Sequence, residues 1–202
     1  MIGGNSGPYT FGPKAAARLG QQASSLANTL QGSLLVTTSA RTPRSSLNSL
    51  KRAINSPAEI FEWTPDAADN PYYGFLALAE SIIVTNDSIA MLTEACATNK
   101  PVYIFSLAGH TTQHKAMNNP PQASQSSLRQ FADFRLSSFL YQWLMRIGPK
   151  RLTRDPHLVY DNLINSGRAV WLGQEFPKGQ KPPPLADIQR AVSRVTALLT
   201  DG

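Results

Sequence analysis

Four short polar clusters hold most of the residues of this chain that could do chemistry: "GGNSG" from Gly3 to Gly7, "TTSART" ending at Thr42, "EWTPD" around Trp63, and "TNDS" from Thr85 to Ser88. The last is the most informative. It separates the apolar run Ile82-Ile83-Val84 from a helical stretch carrying Met91, Leu92 and Glu94. Free N–H groups at a helix start, together with the helix dipole, attract an anion. Ser88 adds a small hydroxyl donor, although Asp87 or Ser88 would equally serve as a plain N-cap. Glu94, further along the helix, could accept two hydroxyls of a ribose whose phosphate sat at the helix start. It could also be a solvated side chain.

The other clusters have the same double character. Glycines let a backbone approach a ligand closely, and successive amides can cradle an oxyanion. A tight strand-to-helix turn also wants glycine, and the loop matches neither the dinucleotide fingerprint nor the Walker pattern. Arg41 and Arg44 suit bidentate phosphate contact or a solvated loop. Trp63 could stack on a base or simply pack. The candidate substrate-binding set is Gly3, Gly4, Asn5, Ser6, Gly7, Ser39, Arg41, Thr42, Trp63, Asn86, Asp87, Ser88, Met91 and Glu94. No catalytic residue is assigned. His110 and His114 lack a third ligand, so no metal site is expected. Cys96 has no basic activator and reads as core. No G-x-S-x-G elbow exists.

The elements that must position these clusters alternate. Ile2 reads as the end of a strand, and Pro13 opens a helix to about residue 31, with Ala16, Leu19, Ala23, Leu26 and Leu30 on one face. "SLLVTTS" is a strand. "TPRSSLNSLKRAI" is a helix capped by Thr42, and "AEIFEW" is a strand. "NPYYGFLALAE" is a short helix capped by Asn70 with Pro71 at its first position. Strand 81–86, helix 88–98 and strand 101–105 follow. Strands separated by helices pair in parallel with right-handed crossovers. Their near-continuous apolar character fits a sheet covered on both faces. The expected fold is therefore a Rossmann-like, doubly wound parallel α/β sheet of about five or six strands. Such sheets bind ligands at the carboxyl ends of their strands, where all four clusters fall.

Residues 1–202 are read as one domain, with a core at 1–107 and a helical C-terminal extension at 124–202. The extension includes a helix with Phe131, Phe134, Phe139 and Trp143, a short strand "AVWLG", a stiff "FPKGQKPPP" linker and a closing helix from about Leu185 to Leu199. Both helices carry apolar surface that invites self-association.

Composition narrows the class. At 202 residues the chain can bury a core without disulfides, and 16% charged residues suit a globular protein. The single cysteine suits a reducing compartment, and with no signal peptide or transmembrane run visible a cytoplasmic location is expected. Peripheral membrane contact stays open. Residues 1–58 hold six Lys or Arg and no acid, whereas residues 59–99 hold seven acids and no Lys or Arg. The two stretches could flank a ligand with one anionic and one hydroxyl-rich end, or be chance clustering of solvated residues. No nucleic-acid motif accompanies the basic part, so nucleic acid is not an expected partner.

The segment "VTNDSIAMLTEACATNKPVYIF" resembles the bacterial proteins grouped with the plant elongated-mitochondria fission factor, the ELM family. The match to the family's T-x-D-S and S/T-E-A-x-A-x-x-K-P-V-Y pattern runs through Thr85, Asp87, Ser88, Thr93, Glu94, Ala95, Ala97, Lys100, Pro101, Val102 and Tyr103. "IGGNSGPYTF", "LLVTTSARTP" and "NPYYGFLALAE" are similar as well, and the resemblance thins beyond about residue 107. The family is in turn similar to the C-terminal half of GT-B glycosyltransferases, such as the enzyme that adds N-acetylglucosamine to the muramoyl lipid precursor. The resemblance implies that Ser88 meets the diphosphate of a nucleoside-diphosphate sugar, that Glu94 holds its ribose, and that Gly3 to Gly7 face the donor. It implies a sugar-nucleotide substrate and no cofactor.

Asp87 would repel that diphosphate, so it should point away as a cap or hold a metal. An N-terminal acceptor domain is expected to be missing, with Ile2 the remnant of a central strand and the chain a truncated, inactive half. A non-catalytic binding or scaffold protein is the first alternative. The epimerase activity also ascribed to the family is disfavoured, because there is no dinucleotide fingerprint and no Y-x-x-x-K pair.

Overall fold

The computed structural model describes residues 1–7, 9–67, 69–108, 157–176 and 187–200. The helix expected near 124–148, the His110 and His114 pair, and the Pro-rich linker beyond Phe176 lie outside the described residues. In chain order the elements are α1 (Pro13–Thr29), β1 (Leu34–Thr37), α2 (Arg44–Ala53), β2 (Ala58–Phe61), α3 (Tyr72–Leu78), β3 (Ile82–Thr85), α4 (Ile89–Ala97), β4 (Val102–Phe105), α5 (His157–Asn165), β5 (Ala169–Trp171) and α6 (Asp187–Thr200).

All the strand pairs among the described residues are parallel. β1 pairs with β2, Leu34 opposite Ala58. β3 pairs with β4, Ile82 opposite Val102, and β4 pairs with β5, Val102 opposite Ala169. Met1 and Ile2 sit between these two ladders. The Ile2 N–H donates to the Thr37 carbonyl at 2.9 Å. The Met1 amino group donates to the Ile83 carbonyl at 2.8 Å. The Thr85 N–H donates back to the Met1 carbonyl at 3.3 Å. Bonding that straddles Val84 in this way is the parallel pattern. The backbone order is therefore β2, β1, Met1–Ile2, β3, β4, β5. The Rossmann-like parallel architecture expected from sequence is present, narrowed at its centre to two residues.

Alternation along β4 splits the core in two. Tyr103 and Phe105 join Ile2, Phe11, Leu19 and Leu50 under α1 and α2. Val102 and Ile104 join Val84, Leu92, Cys96 and Tyr160 under α4 and α5. A strand whose successive side chains enter different cores has both faces covered, which is why its sequence is a continuous apolar run. Cys96 is buried, as expected of a core thiol, and desolvation pushes its pKa up to about 11.

Three local expectations change. α2 starts after Pro43 with no side-chain cap, because the Thr42 hydroxyl is used elsewhere. At α3, Pro71 is itself the cap residue, while the Asn70 side chain accepts from the Tyr72 N–H at 3.0 Å. α5 was not anticipated; its "HLVYDNLIN" mixes turn-forming Asp and Asn into a weak apolar period.

Candidate functional site

Three of the four clusters meet at the carboxyl ends of β1, the Met1–Ile2 seam and β3. The chain leaves the seam through Gly3 and Gly4, which lie against Asp87 and the Arg41 backbone. The Gly3 N–H donates to Thr85 Oγ1 at 2.9 Å, and the Gly4 N–H to Asp87 Oδ2 at 2.8 Å. The Gly3 carbonyl accepts from Ser39 Oγ at 2.6 Å and from Thr42 Oγ1 at 2.5 Å. A Cβ on Gly3 would lie 2.1 Å from Asp87 Oδ2, and one on Gly4 would lie 2.1 Å from the Arg41 carbonyl oxygen. These glycines are dictated by the protein's own packing.

Most of the remaining loop is tied down in the same way. The Asn5 N–H donates to the Arg41 carbonyl, and the Asn5 side chain accepts from the Phe11 N–H at 2.9 Å. Ser6 and Tyr9 exchange backbone bonds. Gly7 turns the chain at φ +53° with open space where a Cβ would point. The amides of Gly3, Gly4, Asn5 and Ser6, expected to cradle an oxyanion, are thus engaged within the protein.

Asp87 is the anion that this loop holds. Its side chain is fully enclosed, with Arg41 Nη2 at 3.4 Å from Oδ2. Ser88, not Asp87, is the N-cap of α4, and among the described residues Asp87 joins no group of three or more His, Cys, Asp or Glu side chains. Burial raises its pKa, opposed by the Thr85 hydroxyl, the Gly4 amide and the Arg41 charge. Its Oδ1 has no hydrogen-bond partner among the described residues. Tyr160, missed by sequence reasoning, stands behind this knot and donates to the Asn86 carbonyl. Burial pushes the Tyr160 pKa up, and neighbouring Tyr9 and Asp87 add to it. A lone tyrosine in a weakly periodic segment gives no sequence signal for this position.

Ser88 is the N-cap residue of α4, half-buried and making no side-chain cap bond. Among the described residues the N-cap side chain thus accepts from none of the first-turn amides of α4, and free amides at a helix start attract an anion. Arg41, paired to Asp87, keeps its side chain 42% exposed. Asn86 is structural: its Oδ1 accepts from the Leu107 N–H at 3.1 Å. Met91 packs on the second core. Glu94 is exposed and accepts a hydrogen bond from the Tyr72 hydroxyl, whose pKa burial and Glu94 together raise. Trp63 is 39% exposed at the end of β2 and is held by its N–H to Thr38 Oγ1 at 2.9 Å.

Fold and site together define a Rossmann-like α/β protein with a polar cluster at its strand ends. A family model described as mitochondrial fission ELM1 matches residues 1–142, and the chain belongs to this family. It is 33% identical over 99 residues to the mitochondrial fission protein ELM1 of Arabidopsis thaliana, which covers 46% of this chain and 23% of that protein. It is 31% identical over 106 residues to an uncharacterized protein of Rickettsia prowazekii (strain Madrid E), which covers 52% of this chain and 30% of that protein. The matched part thus spans less than a third of either relative. No solved structure matches the chain significantly. No helix among the described residues is long and apolar enough to cross a membrane.

Proposed function

We propose that this chain is the nucleotide-sugar-binding half of a GT-B-like glycosyltransferase, with the donor's diphosphate at the start of α4 and its ribose at Glu94. The observation that carries the reading is the start of α4: Ser88 is N-cap with no side-chain cap bond, and Asp87, the residue before it, pairs with the partly exposed Arg41. The Asp87 charge, a difficulty for any phosphate nearby, is met by the Gly4 amide and by Arg41, which lowers its cost. Trp63, partly exposed at another strand end, is the candidate surface for the base.

Glu94 supplies the test. Binding a ribose requires its carboxylate to share or release the Tyr72 hydroxyl. Glu94→Ala should weaken uridine diphosphate more than 2′-deoxyuridine diphosphate. Hydrogen bonds to a charged group contribute roughly 1.5–3 kcal/mol, so the ribonucleotide should lose about tenfold or more in affinity. Equal losses for the two nucleotides would remove Glu94 from the site.

A second reading, a non-catalytic binding or scaffold protein, is favoured by one observation: the loop amides that would hold a phosphate are bonded within the protein instead, Gly3 to Thr85 Oγ1, Gly4 to Asp87, Asn5 to the Arg41 carbonyl and Ser6 to the Tyr9 carbonyl. The Arabidopsis relative's name, a mitochondrial fission protein, points the same way. Nucleotide-sugar binding with no transfer, even when an acceptor domain is supplied, would select it.

A further inference from the structure

Three groups support the negative charge of the enclosed Asp87 carboxylate, and they differ in how firmly they are held. The Gly4 N–H donates to Oδ2 at 2.8 Å, and the Thr85 hydroxyl bonds the same side chain. Both are built in. Gly4 lies against the Arg41 backbone, and Thr85 ends β3 with its Oγ1 accepting from the Gly3 N–H. Arg41 is the third. Its backbone is pinned, with its N–H donating to Ser39 Oγ at 3.3 Å and its carbonyl accepting from the Asn5 N–H at 3.2 Å. Its side chain is 42% exposed, and Nη2 stands 3.4 Å from Asp87 Oδ2, longer than the about 2.7–2.9 Å of a charge-assisted hydrogen bond. Oδ1 has no hydrogen-bond partner among the described residues, so the two-bond fork that arginine can make with a carboxylate is not formed.

Of the three supports, only Arg41 can therefore leave. Burial already works against the Asp87 charge, and without Arg41 one amide and one hydroxyl remain to oppose it. A buried carboxylate that loses its cation neutralises by taking a proton. Asp87 immediately precedes Ser88, the N-cap of α4, so its cation is paired one residue from the helix start. A phosphate there competes with Asp87 for the guanidinium, whose planar fork suits phosphate. No other described group replaces Arg41. Tyr160 of α5 faces Asp87, with Tyr9 bonded to it, and burial keeps the Tyr160 proton in place.

We propose that Arg41 is shared between two anions: it pairs with Asp87 in the free protein, turns to the diphosphate of a bound nucleotide, and leaves Asp87 to take up one proton from solvent. The inference rests on the anion site proposed at the start of α4. It removes the repulsion that an ionised Asp87 would exert on the phosphate, because the carboxyl is neutral when the ligand is present. It also makes binding depend on pH. Bound Asp87 holds its proton more tightly than free Asp87. The added affinity is therefore complete below the free-state midpoint of Asp87 and is lost as pH rises through the bound-state midpoint.

Carboxyl carbon NMR reads Asp87 directly. In the free protein, Arg41→Gln should bind the Asp87 proton about tenfold more tightly than wild type does. Saturating wild type with inorganic pyrophosphate, and separately with uridine diphosphate, should move Asp87 in the same direction. Calorimetry in two buffers of different ionisation enthalpy then counts the protons taken up, and the share lost in Asp87→Asn belongs to Asp87 rather than to the ligand's own phosphate. As pH falls across the window, wild-type affinity should gain on Asp87→Asn by up to about tenfold per pH unit. If that variant does not fold, the wild-type midpoint with and without ligand decides alone. A free-state midpoint unmoved by Arg41→Gln would overturn the proposal. So would a ligand-induced rise as large in Arg41→Gln as in wild type, which assigns the effect to repulsion by the phosphate. Proton-linked binding of pyrophosphate without binding of uridine diphosphate keeps the exchange and removes the nucleotide. Binding of uridine diphosphate with no proton at Asp87 does the reverse, and binding of neither removes both.

Discussion

Asp87 shows how much a single residue can fix. Its enclosed carboxylate takes the Gly4 amide and faces Arg41, and the space it fills is the space a Cβ on Gly3 would need. Gly3→Ala should therefore cost about 3 kcal/mol, the upper end of overpacking, because a buried carboxylate must move with its bonds. Gly7→Ala, strained only by φ +53°, should cost about 1–2 kcal/mol. Urea denaturation of the two variants checks the order. Asp87 also sets a pH dependence. Its folded pKa lies above the ordinary 3.8, so the folded state holds the proton more tightly than the unfolded chain. The stability this contributes is complete below 3.8 and is lost as pH rises through the raised value. The stability difference between wild type and Asp87→Asn should therefore change with pH over that window, with the wild type losing relative to the variant as pH rises. A difference independent of pH would show that the carboxyl titrates normally.

At the scale of elements, α6 makes the sharpest prediction. Val192, Val195, Leu198 and Leu199 are all exposed along it, at helical spacing. Light scattering should give a mass that rises with concentration above 22.0 kDa, and Val195→Lys with Leu198→Lys should return it toward the monomer. Most elements were legible in the sequence because their signals are local. Pro13 opens α1, and "SIIV" and "PVYIF" are apolar runs that could only be covered strands. The boundaries shrank, β1 to four residues from "SLLVTTS", because the polar ends of the run turn to bond Gly3 and Trp63. The candidate site was less legible. The glycine loop and Asp87 stood out as residue types, but their meeting each other depends on the seam lying between β1 and β3. No local pattern carries that placement, nor the arrival of Tyr160 beneath Asn86.

At the scale of the whole molecule, two ladders meet at Met1–Ile2, and the ends of their strands carry the groups that define the site. Buried contacts account for Gly3, Gly4 and Asn86, Met91 packs on the second core, and among the described residues the N-cap side chain of α4 makes no cap bond. The central claim is that this helix start receives the diphosphate of a nucleotide. The most direct measurement is titration calorimetry with uridine diphosphate at low salt, on wild type and on Ser88→Asp, with circular dichroism showing both folded. The account predicts binding to wild type and a loss of about tenfold or more in Ser88→Asp, where a second carboxylate meets the phosphate. Equal affinities, or no binding to the folded wild type, would contradict it.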